Sequence, residues 1–227
     1  MRRGVVSLFA LGALASAGFA HGEDVDIGVR VVAGALETFG VSDVLGSTGD
    51  EPVERVFAGE LGSIEFGPNG IDDPGFFADT LTDGTAVGFN IRAALGRWNG
   101  AGFDLSISET MTIARFFGSP GQIDAASGVG FVPGFTLATA SGGGFDEHPV
   151  YILNGPGGTP ADGVYLLELE VTSPALQTSL PLWIVFNLNT DEAIHDEAIE
   201  WVEANLVPSP GVLAAAPLAL GARRRRR

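Results

Sequence analysis

The chain has 227 residues, of which 28 are acidic and 12 are basic, and its formal net charge at pH 7 is −16. All basic residues are arginines and seven of them lie at the two ends, so the body between is more acidic still, which excludes nucleic acid and anionic lipid as its partners. The absence of cysteine excludes disulfides and thiolate chemistry, and an apolar fraction of 45% favours a globular body over a disordered one.

Residues 1–20 have the pattern of a secretory signal peptide. Arg2 and Arg3 precede a short apolar stretch, and small residues follow it up to Ala20. Cleavage by signal peptidase between Ala20 and His21 would leave His21 at the new N-terminus, whereas cleavage after Ala17 is the alternative. We therefore expect an exported protein whose body comprises residues 21–206.

The sequence pattern of the body predicts a mainly β fold. We expect an antiparallel β-sandwich with one C-terminal amphipathic α-helix. Apolar and polar residues alternate in residues 25–31, which is the pattern of a strand with one buried face. Glycine-rich turns separate further short apolar stretches, which favours an antiparallel sandwich. The other predicted strands are residues 54–61, 85–97, 103–116, 131–139, 149–153, 164–172 and 180–188.

The spacing of apolar residues predicts an amphipathic helix over residues 190–206. Asn189 is the expected N-cap, and Pro208 would stop the helix. Glutamates are expected on the opposite, solvent-facing side. The apolar residues that recur at helical spacing are Ile194, Ala198, Trp201, Val202 and Leu206.

Residues 207–227 form a tail with three parts. The parts are a short proline-containing motif (Val207, Pro208, Ser209, Pro210 and Gly211), an apolar run over 212–222, and five arginines. This order resembles the PEP-CTERM sorting signal of bacterial exosortase substrates, although Ser209 stands where that motif usually has glutamate. The apolar run would reach about 17 Å as a helix, against a hydrocarbon core of about 30 Å.

The resemblance implies that an exosortase-like sorting enzyme cuts near the motif and passes the body to the cell surface or extracellular matrix. Until that cut, the tail would hold the precursor transiently at the cytoplasmic membrane, with the arginines on the cytoplasmic side. An arginine-rich tail without a sorting role is the alternative.

The three histidines are the candidate metal ligands. An N-terminal His21 offers an α-amine and an imidazole, and His148 or His195 would complete a three-nitrogen copper site. This arrangement resembles the copper brace of lytic polysaccharide monooxygenases and small periplasmic copper carriers. The alternative is that His148 and His195 are surface histidines that bind no metal.

Acidic loops suggest calcium as a second metal, with Asp72, Asp73, Asp79 and Asp83 as candidate ligands. Trp98 is the tryptophan expected to be exposed, where it could stack on a sugar, whereas Trp183 and Trp201 are expected in the core. The function predicted is a non-catalytic structural or adhesion module, without a required cofactor. The alternatives are a copper-binding protein, and a calcium-stabilised adhesin or carbohydrate-binding module with extracellular polysaccharide as partner.

Overall fold

The computed structural model describes residues 25–42, 52–115, 122–126 and 129–208, and it confirms a mainly β fold with one C-terminal helix. The predicted signal peptide, its cleavage position at Ala20 and His21, and the motif residues Ser209, Pro210 and Gly211 lie outside these residues. The strands within the described ranges are β1 (Val25–Val32), β2 (Ala35–Ser42), β3 (Val56–Glu60), β4 (Gly70–Ile71), β5 (Phe76–Ala78), β6 (Ala86–Ile91), β7 (Gly96–Trp98), β8 (Phe103–Asp104), β9 (Thr110–Ala114), β10 (Gln122–Ala126), β11 (Val132–Thr139), β12 (Phe145–Glu147), β13 (Val150–Asn154), β14 (Gly163–Thr172) and β15 (Leu182–Leu188). The helix α1 is Glu192–Asn205.

In the described residues, these strands form one seven-stranded sheet and two four-stranded sheets. The large sheet has the order β11-β6-β14-β15-β3, and β7 joins β14 and carries β8. The smaller sheets have the orders β12-β5-β1-β2 and β10-β9-β13-β4. Most pairings are antiparallel as predicted, but β1 pairs with β5 and β3 pairs with β15 in parallel.

The centre of the large sheet is buried on both faces. Tyr165 and Leu167 of β14 point into the main core, which the smaller sheets share, whereas Val164 and Leu166 contribute to a second cluster with α1. Strands covered on both faces need apolar residues at consecutive positions, and this explains why β14 and β15 lack a simple alternation.

Two predicted strands are each divided in the structure, and one strand at the start of the body was not predicted. Residues 103–116 form β8 and β9 instead of one strand, because the Asp104 side chain accepts a hydrogen bond from the Ser106 amide at 2.8 Å and turns the chain. Residues 85–97 likewise divide into β6 and β7. The unpredicted strand is β2, which pairs with β1 through a turn in which Ala33 and Gly34 both have positive φ.

The helix begins later, and faces differently, than predicted. Its N-cap is Asp191, because Asn189 adopts a φ of 55° outside the helix and donates a hydrogen bond to Asp162 instead. Ile194 is 39% exposed, whereas His195 and Ile199 are buried. No helix within the described ranges is long and apolar enough to cross a membrane.

Candidate functional site

His148 lies between β12 and β13 and is surrounded by carboxylates. Its Nδ1 is 3.2 Å from Asp73 Oδ1, and its Nε2 is 3.2 Å from Asp146 Oδ1 and 3.8 Å from the buried Asp26 Oδ2. Parallel pairing of β1 with β5, and antiparallel pairing of β12 with β5, bring these residues together from distant parts of the chain. We call His148, Asp26, Asp73 and Asp146 the His148 cluster.

The surroundings of the His148 cluster favour a protonated imidazole. The hydrogen bond to Asp73 and the negative charges of Asp26, Asp73 and Asp146 outweigh the effect of burial, and they raise the pKa of His148 to about 10. The other oxygen of Asp26 accepts a hydrogen bond from the Gly75 amide at 2.6 Å. A protonated histidine with a carboxylate near each ring nitrogen is the centre of an ion-pair network that links the parts of the chain carrying those carboxylates.

His195 lies on the inner face of α1 and is 1% exposed. Its Nε2 donates a hydrogen bond to the Val185 carbonyl at 2.9 Å, and its Nδ1 is 2.9 Å from Glu60 Oε1. Glu192, one helical turn before it, has Oε1 3.9 Å from the same nitrogen. We call His195, Glu60 and Glu192 the His195 cluster.

The contact between Nδ1 and Glu60 has the distance of a hydrogen bond but not its alignment. Both atoms are buried, and neither has a hydrogen-bond partner among the described residues. Burial acts to lower the pKa of His195, but the Glu60 carboxylate and the Val185 carbonyl outweigh it, and the pKa is raised above its usual value. The surroundings therefore favour a positive charge on the His195 ring.

An open cleft of about 540 Å³ adjoins Trp98. The Trp98 ring packs in an aromatic group with Phe103 and Trp201, with ring centroids 5.2 and 5.8 Å away. The cleft combines this aromatic residue with charged and hydroxyl side chains, a combination that suits sugar binding. Its lining residues are Arg97, Trp98, Asn99, Asp104, Ser106, Ile107, Ser108 and Glu109.

Among the described residues, the predicted calcium ligands do not form a group of three close donor side chains. Asp73 belongs to the His148 cluster, whereas Asp83 accepts a hydrogen bond from the Gly143 amide at 2.8 Å and Asp79 is exposed. Within the part of the chain that the structure describes, the groups of three close donor residues are Asp26, Asp146 and His148, and Glu60, Glu192 and His195. Neither group contains Asp72, Asp79 or Asp83, and calcium binding at these aspartates stays a prediction.

The structure places His148 and His195 in separate clusters with different partners. His21 lies outside the described residues, so the copper brace stays a prediction. The interpretation of His195 as a surface histidine is wrong, because the helix is rotated toward the sheet on that side. Trp183 is buried as predicted, whereas Trp98 and Trp201 are both half-buried.

Sequence reasoning missed Asp26 and Glu60 as partners of the histidines. Both are strand residues of ordinary appearance, Asp26 within the alternation of β1 and Glu60 at the end of β3. Their proximity to His148 and His195 depends on strand pairing that no local pattern encodes. The acidic composition hides such residues further, because the sequence contains 28 carboxylates and does not mark which of them lie near a histidine.

Comparisons of the chain with protein families, with curated proteins and with solved structures gave no match.

Proposed function

We propose that the chain is an exported, non-catalytic module of the cell surface or extracellular matrix, with a structural or adhesive role. The order of the parts along the chain carries this proposal: a signal-like start, an acidic body, and a tail with a proline motif, an apolar run and five arginines. The packed body supports it, because α1 ends at Asn205 and the chain is already exposed at Pro208, where the sorting motif lies. A protease could therefore reach the motif without unfolding the β body.

The test is the intact mass of the protein recovered from the cell surface or medium, with both termini sequenced. The proposal predicts a chain that starts at His21 and ends near Pro208. A chain that still carries the five terminal arginines would contradict processing of the tail, and a start at Gly18 would also exclude the copper brace.

The Trp98 cleft favours polysaccharide as the adhesion partner. Trp98 supplies an aromatic face, and Arg97, Asn99 and Asp104 supply polar groups around it. The aromatic face would stack on the apolar side of a sugar ring, while the polar groups would bind its hydroxyls. This candidate function rests on the cleft and is independent of how the chain is exported.

Affinity electrophoresis in gels that contain a neutral glucan tests this binding. We expect the glucan to retard the wild type, Trp98→Ala to lose most of the retardation, and Trp98→Phe to keep part of it because a ring remains. Thermal denaturation of each variant controls for loss of packing against Trp201. Equal retardation of all three proteins, or none, would contradict a sugar site at Trp98.

A further inference from the structure

Three elements meet at the His195 cluster. Glu60 ends β3, which pairs in parallel with β15, and Asn187 of β15 lies opposite Glu60 in that register. The chain then turns at residues 189–191 and enters α1, whose first turn supplies Glu192 and whose second turn supplies His195. The site is thus built on two strands and a helix, which hold its side chains more rigidly than loops would.

The hydrogen bond from His195 to the Val185 carbonyl determines which ring nitrogen carries a proton. A backbone carbonyl can only accept, so Nε2 must carry a proton to make the 2.9 Å hydrogen bond. In the neutral ring, Nδ1 then carries a lone pair, with Glu60 Oε1 2.9 Å and Glu192 Oε1 3.9 Å away. Metal-binding histidines commonly have this arrangement, in which a carbonyl holds one nitrogen and the other is free to bind the ion.

The position of Glu60 fits a shared ion better than a direct hydrogen bond. A hydrogen bond would align the carboxylate oxygen with Nδ1, but these two buried atoms lie 2.9 Å apart without that alignment. Two ligands of one ion point at the ion instead of at each other. With metal–ligand bonds of about 2.0–2.2 Å, neighbouring ligand atoms are separated by roughly 3 Å.

We propose that His195 Nδ1, Glu60 and Glu192 form a binding site for a divalent first-row transition-metal ion, for which zinc is the natural probe. One imidazole and two carboxylates suit zinc and its neighbours, whereas calcium and magnesium prefer oxygen ligands alone. The side chains of Glu60 and Glu192 are 39% and 58% exposed, so the ion can enter from solvent and keep water ligands. This site uses neither His21 nor the Trp98 cleft, and it is independent of the proposed function.

Titration calorimetry of the full chain with Zn²⁺ tests the proposal. We expect one zinc ion per chain at this site, and we expect Glu60→Gln and Glu192→Gln each to weaken binding by about tenfold or more. These variants preserve size and lie at partly exposed positions, so they should fold. His148→Gln is the matched control, because it removes a histidine from the other carboxylate-rich cluster and should leave this zinc affinity unchanged.

His195→Gln removes the nitrogen ligand, but it also alters a buried residue, so its folding must be checked by circular dichroism. X-ray absorption of the zinc-loaded wild type gives a second measurement, with nitrogen and oxygen scatterers near 2.0–2.2 Å expected. The absence of stoichiometric zinc would overturn the proposal, as would affinity that Glu60→Gln leaves unchanged. Either result would identify the cluster as an ion pair between imidazolium and Glu60.

Discussion

His148 shows how one residue can join several parts of the fold. Asp26 comes from β1, Asp73 precedes β5 and Asp146 belongs to β12, and all three carboxylates lie within 3.8 Å of its ring nitrogens. Asp26 is buried, so its negative charge would be costly without a nearby cation. The imidazolium offsets that cost and links β1, β12 and the segment before β5.

We therefore predict that His148→Gln destabilises the protein by about 1–3 kcal/mol at pH 7, because hydrogen bonds to charged groups are lost. Thermal or urea denaturation measures this difference. Glu147→Gln, at the exposed neighbouring position, is the control and should change stability by less than about 0.5 kcal/mol. Equal effects of the two substitutions would contradict the role given to His148.

The contribution of His148 to the free energy of unfolding should decrease as the pH rises. The folded-state pKa of His148 is about 10 and the ordinary value is 6.5, so its stabilisation is fully present below pH 6.5 and is lost as the pH rises through 10. Tyr151, which also faces Asp26 and Asp73, stays neutral over this range because burial raises its pKa well above the usual value. The stability difference between wild type and His148→Gln should thus shrink from pH 6.5 to 10. A constant difference would mean that protonation of His148 does not contribute.

At the scale of elements, α1 shows how packing decides between two neighbouring faces of a helix. The apolar spacing predicts that Ile194 faces the sheet, but the structure buries His195 and Ile199 and leaves Ile194 39% exposed. Rotation toward His195 allows its hydrogen bond to Val185 while Ala198 and Val202 remain in the interface. His195, with its hydrogen bond to Val185, thus occupies the position between α1 and the large sheet that the pattern assigned to Ile194.

This orientation predicts unequal effects of two chemically identical substitutions. Ile199→Ala should lower the free energy of unfolding by about 2–4 kcal/mol, because it opens a cavity between α1 and the large sheet. Ile194→Ala, five residues earlier on the same helix, should cost less than about 1 kcal/mol. Urea denaturation of both variants makes the comparison, and a larger effect at Ile194 would show that the helix faces as the sequence pattern suggested.

The close approach of β11 to β6 at Gly134 can be tested by substitution of that glycine. A Cβ at Gly134 would lie 1.8 Å from the Phe89 carbonyl oxygen, and the register shifts directly after Pro133. Gly134→Ala should therefore displace backbone and destabilise by about 1–3 kcal/mol. Gly130→Ala meets no atom within 4 Å, and it should leave the melting temperature nearly unchanged. Equal melting temperatures would contradict the close approach of β11 to β6.

The sequence predicted most strands and the helix because apolar periodicity and glycine-rich turns are local signals. It could not predict β2 as a hairpin partner of β1, since the turn uses Ala33 in a left-handed conformation that alanine seldom adopts. For the candidate sites it identified His148 and His195 by residue type alone. Their partners Asp26 and Glu60 were missed, because their proximity arises from parallel strand pairs that join distant segments.

At the scale of the whole molecule, charge is the dominant surface property. Five arginines between Gly4 and Ala222 face 28 acidic residues, so most carboxylates have no arginine available to them. Where arginines do pair, they hold strands together: Arg92 bridges Glu168 and Glu170 of β14 at 3.1 and 2.5 Å. The remaining acidic surface repels itself, and salt should relieve that repulsion.

We predict that the melting temperature at pH 7 rises by a few degrees between low salt and 1 M NaCl, equivalent to about 1 kcal/mol. The effect should shrink near the sequence pI of about 4.3, where the net charge vanishes. Differential scanning calorimetry at both pH values measures it. A melting temperature that does not respond to salt at pH 7 would mean that self-repulsion contributes little to stability.

The placement of β14 and β15 at the centre of the large sheet also determines when the chain can fold. Both strands come from residues 163–188, and earlier strands such as β3 and β6 pair directly with them. A growing chain that has not yet produced these residues lacks the strands on which β3 and β6 must pair, so the sheet can assemble only late in synthesis. Pairing of β3 and β6 into the large sheet therefore waits until most of the chain has been made, whereas the strands of the two smaller sheets all lie before residue 155.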